Sequence, residues 1–358
     1  MDLRLTEFQE LLQSNAEEFL AREAPLTRIR EIEAAGEHDA ELWAEMVGIG
    51  WTGLPIAEAY DGQGGTLIDC AILIEQLCRA AMISPYQNVV LAASTVQAHG
   101  DEELKQSLLP RIARGVIVTA AAIERGRNSD DTPRTTCEGG RVQGTKYLVE
   151  YADAAGVHLV TAVRGGEPGI AVVEAAQPGV RIERSLSSIG DTPQSVVAYD
   201  GAEASAFIAG QDAVDYLHRL GSAIASFECY AHAQKSLDMA VDYTQMRVQF
   251  GRPIGAFEPV QQRVADMAIQ VEASRFLTHE LIWQIGEGVA DPAQVSLVRG
   301  ITARAATDVT MWSHVLHGGI GFMKEYDLQF HTRRGKEAAL RWGGMREAVT
   351  AIADAALA

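Results

Sequence analysis

Cysteine is scarce in this chain. Cys70, Cys78, Cys137 and Cys229 show no CxxC or Cys/His spacing, which excludes a zinc site, and four are too few to staple 358 residues. They read as reduced core thiols of a cytoplasmic protein. Basic residues are also outnumbered, 30 Lys and Arg against 48 Asp and Glu. The resulting formal charge of −18 excludes a nucleic-acid or anionic-membrane surface beyond local patches, because either would repel the chain. No uninterrupted apolar run approaches spanning length, and the first residues lack a basic stretch followed by an apolar one, so a soluble, non-exported protein is expected. The glycine-rich stretch Tyr60-Asp61-Gly62-Gln63-Gly64-Gly65 contains no lysine and no strand-to-helix setting, which argues against a phosphate loop or a dinucleotide fold.

What is present is a hydrophobic content of 47% and a length beyond one typical core, so two or three packed units are expected. Helical spacing of apolar residues recurs over 3–21, 40–47, 67–81, 87–100 and 102–113. From Gly115 the pattern changes to short β-prone runs: 117–119, 157–160, 170–173, 180–182 and 195–199. Gly139-Gly140 marks a hairpin between 135–138 and 141–143. Helix returns at Ala213, with further helices over 292–315, 328–342 and 345–357. In the helix after residue 258, Val260, Val264, Met267, Val271, Phe276, Leu277, Leu281 and Ile285 form an expected buried stripe. The expected fold is α+β: an N-terminal helical domain (1–114), a small middle β-barrel or sandwich (115–210) and a C-terminal four-helix bundle (211–358).

Between two of the long helical patterns lies Arg247-Val248-Gln249-Phe250-Gly251-Arg252-Pro253-Ile254-Gly255-Ala256-Phe257-Glu258. Gly251 and Gly255 permit geometry that other residues resist, and Pro253 blocks helix continuation, so a helix end, a tight turn and a new helix start are expected. Arg247 and Phe250 at such a corner suit a nucleotide diphosphate. An ordinary interhelical turn with a surface arginine is the plainer reading of the same residues.

The order of elements and three motifs together resemble the acyl-CoA dehydrogenase family. Leu42-Trp43-Ala44-Glu45-Met46, with Gly50-Trp51-Thr52-Gly53-Leu54 and the Tyr60–Gly65 stretch, is similar to the family's first-domain signature. The corner is similar to its R-x-x-F-G-x-P-I motif. His317-Gly318-Gly319-Ile320-Gly321-Phe322 is similar to its G-G-x-G-aromatic turn. The resemblance extends over essentially the whole chain, and its details lie nearest the bacterial branch acting on steroid side chains and other bulky acyl-CoA thioesters. It implies a tetramer, FAD, and α,β-dehydrogenation in which a glutamate takes the α-proton of an acyl-CoA and the β-hydride goes to the flavin.

Carried over residue by residue, the resemblance is uneven. The family's usual base position falls on Trp342, within Arg341-Trp342-Gly343, and the alternative base position on Gly221 or its neighbour Ser222. None can abstract a carbon-bound proton. Glu228, in an otherwise apolar stretch, is a candidate base or else a paired carboxylate. Glu325 and Glu337, beside Lys324 and Lys336, read as solvated ion pairs, and His317 as a packed or backbone-bonded histidine. The segment that meets the flavin ring in relatives matches Ile123-Glu124-Arg125-Gly126-Arg127-Asn128-Ser129-Asp130 only in part, and the following Trp-x-Thr falls on Leu148-Val149-Glu150. The residues implied to grip the ADP half of a neighbouring subunit's FAD are retained: Arg247, Phe250, Gly251, Gly318, Gly319 and Gly321. Two glutamines expected beside them are Val315 and Glu258. These features lead to the expectation of a partner subunit in a heteromeric acyl-CoA dehydrogenase, its homologous sister chain carrying the base. A competent homotetramer using Glu228 and a non-enzymatic scaffold or acyl-CoA-binding module remain the alternatives. No metal site is expected.

Overall fold

The computed structural model describes residues 4–36, 38–127 and 131–357. The chain begins with helices: α1 (Glu7–Glu23), α2 (Leu26–Ala35), α3 (Ala40–Gly48), α4 (Leu67–Arg79), α5 (Tyr86–His99) and α6 (Glu102–Ala113). Each well-marked start has a chemical cause. Thr6 and Gln9 form a reciprocal capping box at α1, and Asp39 and Asp101 accept the backbone N–H three residues on at α3 and α6. α2 was not expected from the sequence: only Ile29 and Ile32 are buried on it, too few to announce a periodic stripe.

Among the described residues seven strands of one sheet follow: β1 (Val118–Ala121), β2 (Thr136–Glu138), β3 (Arg141–Glu150), β4 (Val157–Arg164), β5 (Glu167–Glu174), β6 (Val180–Leu186) and β7 (Gln194–Ala209). β5 pairs with both β7 and β4, so the order β4-β2-β3-β7-β5 closes on itself as a barrel, with β1 on β4 and β6 on β7. Closure removes the exposed edges of five strands. The interior is filled by small residues, among them Ala121, Val142, Val160, Ala171 and Val197.

Long helices complete the chain: α7 (Gln211–Met246), α8 (Glu258–Gly286), α9 (Pro292–His317), α10 (Leu328–Ala338) and α11 (Met345–Leu357). Between α7 and α8 the two short strands β8 (Val248–Gln249) and β9 (Arg252–Pro253) pair with each other. The fold is thus α+β, helical before and after a β-barrel. α10 ends at Ala338, four residues before the expected end. On α8 the buried positions are Met267, Val271, Ser274, Thr278, Leu281, Ile282 and Ile285, whereas Phe276 is exposed and Val260 and Val264 are only half-buried. The three-four count had followed hydrophobicity, while the helix turns small hydroxyl residues inward instead. Among the described residues no helix is long and apolar enough to cross a membrane.

Two compact units emerge from the packing. One draws on the chain up to Leu26, on Ala71–Met82 and on everything from Ser222 onward; the other consists of Thr27–Cys70 and Ile83–Gly221. All four cysteines are free and buried, and burial pushes the Cys70 thiol up to about 12.

Inside the second unit, Lys146 is fully buried, its Nζ 2.9 Å from Glu124 Oε1 and 3.0 Å from Thr161 Oγ1. Glu124 also accepts the backbone N–H groups of Arg134 and Thr135 and the Thr135 hydroxyl. Burial alone would raise this carboxyl, but the Lys146 charge and these donors together hold it at about 2. Burial, only partly offset by Glu124, brings Lys146 down to about 8. Because the folded carboxyl lies below its ordinary value near ~4.3, its stabilising contribution is complete above that pH and is lost as pH falls towards 2. Lys146→Met should cost roughly 3–5 kcal/mol in urea unfolding at neutral pH, since it strands a buried carboxylate. Adding Glu124→Gln should restore part of that loss.

Candidate functional site

The corner is built by the end of α7. The Arg247 N–H donates to Tyr243 O (2.8 Å), and the Ile254 N–H donates to Arg247 O (2.8 Å), so the chain leaves and returns at one point. Between them β8 and β9 pair Val248 with Pro253 and Gln249 with Arg252. The two residues at the tip both have positive φ, 52° at Phe250 and 78° at Gly251. That is the hairpin turn whose twist suits paired strands, but it ordinarily takes Asn-Gly or Gly-Gly. Phe250 is strained there, and its ring is 92% exposed. The Phe257 ring meets it edge-on at 6.1 Å, and the Arg252 guanidinium stacks on Phe257 at 4.2 Å. Arg247 is exposed. In place of the plain helix-turn-helix expected, a strand-paired corner presents a cation and an aromatic ring to solvent.

The second motif terminates α9. Gly318, at φ 62°, caps the helix, and a 3-10 turn runs over Gly318–Phe322. A Cβ at Gly318 or Gly319 would meet nothing within 4 Å, so these glycines leave accessible backbone rather than relieve a clash. Gly321 differs: its Cβ would lie 2.9 Å from that of His317. His314 donates from Nδ1 to Gly321 O (2.8 Å) and stacks on Phe322, and His317 donates from Nδ1 to Ser313 O (2.7 Å). Burial lowers the pKa of both imidazoles. His317 is therefore packed and backbone-bonded, as expected from the sequence. Its ring lies 4.5 Å from that of Tyr243, one helical turn before Arg247, and Ser313 Oγ donates to Ser236 O (2.9 Å). These contacts bring the ends of α7 and α9 together, and with them the corner and the glycine turn.

Elsewhere in the same unit the two base positions of the family pattern also converge. Ser222 Oγ, on α7, donates to the backbone carbonyl of Trp342 (2.8 Å). Trp342 is half-buried at φ 51° in the segment joining α10 to α11. That segment is held by Arg299, buried on α9. Its Nε donates to Gly343 O (2.7 Å), and its Nη2 to Ala338 O (2.5 Å) and Arg341 O (2.7 Å). Buried Glu228 forms an ion pair with the half-buried Arg341. This is the paired-carboxylate alternative for Glu228. Glu325 is exposed, but Glu337 is buried, which corrects its reading as a solvated partner of Lys336: the two adjacent residues lie on different faces of α10.

In the other unit Glu150 is buried and accepts from Asn88 Nδ2 (2.8 Å), while Asn88 Oδ1 accepts from Thr119 Oγ1 (3.2 Å). Leu148 is exposed at φ 54°, beside an irregularity in the β3–β7 register. Glu124 serves the buried pair with Lys146. Asn128, Ser129 and Asp130 lie outside the described residues.

Arg299 and Tyr243 were not singled out from the sequence. A lone arginine among Val295, Val298 and Ala303 on a helix was the available signal for the first. Tyr243, four residues before Arg247, carried none.

The strain at the corner yields a measurable expectation. Phe250→Asn leaves an Asn-Gly tip, whose residues tolerate the left-handed geometry, and should stabilise the folded chain by about 1–2 kcal/mol in urea unfolding. Phe250→Val, β-branched at positive φ, should not.

Comparison with known proteins agrees in extent with this geometry. The model of the acyl-CoA dehydrogenase N-terminal domain matches residues 6–116, and that of the C-terminal domain matches residues 218–357. An acyl-CoA dehydrogenase of Bacillus subtilis (strain 168) is 27% identical over 362 residues, covering 93% of this chain and 94% of its own length. Among solved structures, the Tcur3481-Tcur3483 steroid ACAD superposes with a TM-score of 0.91 at 26% identity, over 98% of each chain. The ChsE4-ChsE5 complex from Mycobacterium tuberculosis does so with 0.91 at 25% identity, over 100% of this chain and 99% of the other. With two domain models matched in order and full-length relatives on either measure, the chain belongs to the acyl-CoA dehydrogenase family of FAD-dependent oxidoreductases.

Proposed function

We propose that this chain is the partner subunit of a heteromeric acyl-CoA dehydrogenase, lending the ADP-side contacts of FAD to a homologous sister chain that carries the base. The observation that carries this reading is the site around Trp342. The family's usual base position, counted without gaps from Gly318, falls on Trp342, whose carbonyl is bonded to Ser222 and whose loop is fixed by Arg299. An enzyme of this kind needs a carboxylate free to receive a carbon-bound proton beside a polarised thioester. Glu228, the alternative base, is instead engaged by Arg341.

The corner and the glycine turn fit the other end of the cofactor. An exposed arginine suits a diphosphate through charge-assisted hydrogen bonds, an exposed ring offers a stacking face, and the Gly318-Gly319 backbone can be approached closely. FAD, when bound, supplies the hydride acceptor; this chain's part is to hold its nucleotide end. In the β-barrel unit, Glu150 is a poor neighbour for a flavin that gains negative charge on reduction. That supports a catalytic ring held mainly by the sister chain. Two heteromeric or steroid-related neighbours in the fold comparison favour a bulky, steroid side-chain acyl-CoA as the substrate of the assembly.

The test is purification of the chain alone and together with a homologue bearing glutamate where Trp342 stands. The chain alone should be colourless and inactive, and the assembly should contain FAD and turn over. Stoichiometric FAD with turnover by the lone chain would sink the proposal, and an assembly devoid of flavin would point to a scaffold. Arg247→Ala should weaken FAD in the assembly by roughly 10- to 150-fold, the equivalent of roughly 1.5–3 kcal/mol for a hydrogen bond to a charged group. Phe250→Asn should also weaken it while stabilising the fold.

A further inference from the structure

Two buried histidines take no part in the site described above. His232, on α7, and His331, on α10, meet Nδ1 to Nδ1 at 3.2 Å. A bond between two imidazole nitrogens needs one N–H and one lone pair, so the neutral pair holds a single proton between the rings. One added proton leaves that bond in place but sets a charge in the interior. A second turns N–H against N–H and breaks it.

The surroundings oppose even the first step. Arg334, buried on α10, Arg341 beyond it, Lys235 on α7 and Arg79 on α4 are the side-chain charges that act most strongly on the rings. All four are positive. Carboxylates of the same elements are engaged elsewhere: Asp238 with Arg79 (3.0 Å), Glu228 with Arg341, and Glu75 with the Tyr230 hydroxyl (3.2 Å). Glu337, six residues beyond His331, projects from another face of α10. Burial first, and then neighbouring positive charge, holds both imidazoles well below their ordinary value.

The helix carrying His331 is the element able to respond. α10 has 11 residues, fewer than a helix needs to persist by itself in water, so it exists by its packing. It lies close against its neighbours: a Cβ at Gly335 would stand 3.2 Å from that of His232 and 3.8 Å from that of Ala306 on α9. With backbones this near, relieving the pair requires moving α10. The same helix holds the glycine turn, through Thr332 Oγ1 at 2.7 Å from His314 Nε2, whose Nδ1 bonds Gly321 O.

We infer that the His232–His331 pair is a proton-operated latch: acidification drives α10 from α7 and loosens the glycine turn bonded to it. Its effect on flavin rests on the function proposed above; the opening of α10 does not. Because both folded-state values lie below the ordinary ~6.5, the stability contributed by the neutral pair is complete above that pH and is lost as pH falls below it.

Backbone hydrogen exchange of the full chain, corrected for intrinsic rates, tests the latch. Between about pH 7 and about pH 5 the opening constant of α10 should rise roughly 100- to 1000-fold, the effect of two protons taken up on opening. His331→Asn keeps an amide donor for His232 and removes one titrating ring, so the rise should shrink to roughly 10- to 30-fold, and His232→Asn should act alike. An α10 equally protected at both pH values overturns the latch whatever the variants do, as does a rise that either folded variant leaves unchanged. In the flavin-loaded assembly, the same acidification should release FAD from wild type and much less from His331→Asn. Equal release from the two defeats the coupling to the glycine turn. An assembly that never holds flavin defeats the proposed function alone, and the exchange result still decides the latch.

Discussion

Arg299 is the contact on which the C-terminal helices depend. A helix leaves its last carbonyls without intrahelical donors, and α10 stops at Ala338 in a buried setting where water cannot serve them all. One guanidinium supplies donors to Ala338, Arg341 and Gly343 and approaches the Cys229 sulfur at 3.6 Å. Nothing but a planar fork of donors reaches three carbonyls from one stem; lysine carries a point charge and would leave part of the set unpaired. The buried charge is tolerated because carbonyl dipoles at a helix C-terminus converge on it. Through this staple the segment carrying Trp342 takes one shape, and the Glu228–Arg341 pair closes beside it.

That arrangement turns a region of possible chemistry into one of structure. Where relatives in the family pattern carry a carboxylate, the backbone here is committed to Ser222, and the neighbouring guanidinium is committed to Glu228. A buried ion pair gains specificity of geometry more than stability, and removing either partner strands the other.

Most of the fold was legible because its signals are local. The apolar spacing of the long helices, the Gly139-Gly140 hairpin and the β-prone runs that become β4 and β5 each need only a few neighbouring residues. What escaped depended on distant ones. The sequence left barrel and sandwich both open, because the choice turns on β5 finding both β4 and β7, and no residue of β5 announces two partners. Phe276 looked like core because periodicity ranks residues by hydrophobicity, whereas the packed face of α8 takes Ser274 and Thr278, whose hydroxyls donate back to helix carbonyls. The corner motif was legible as a motif, but its strained tip was not: the glycine at 251 suggests one positive φ, and the second falls on an aromatic residue.

That second positive φ sets the corner apart from the rest of the fold. A phenylalanine in left-handed geometry, exposed to water on nearly all its surface, meets its own subunit through an edge contact with Phe257 and costs about 1–2 kcal/mol against a residue suited to the turn. Asparagine at this position would relieve the strain with a single small side chain, and nothing in the surrounding hairpin opposes it. The contacts around it leave the ring presented rather than buried: Phe257 meets it by an edge, and the Arg252 guanidinium stacks on Phe257. Strain held at a tip, with its relief sterically open, is the signature of a side chain whose contacts lie outside its own chain. The same reasoning applied to Trp342 gives the opposite result, since its positive φ is fixed by Ser222 and Arg299 from within. The two outliers therefore differ: the strained ring at the corner faces solvent, and the strained backbone at Trp342 is held from within the chain.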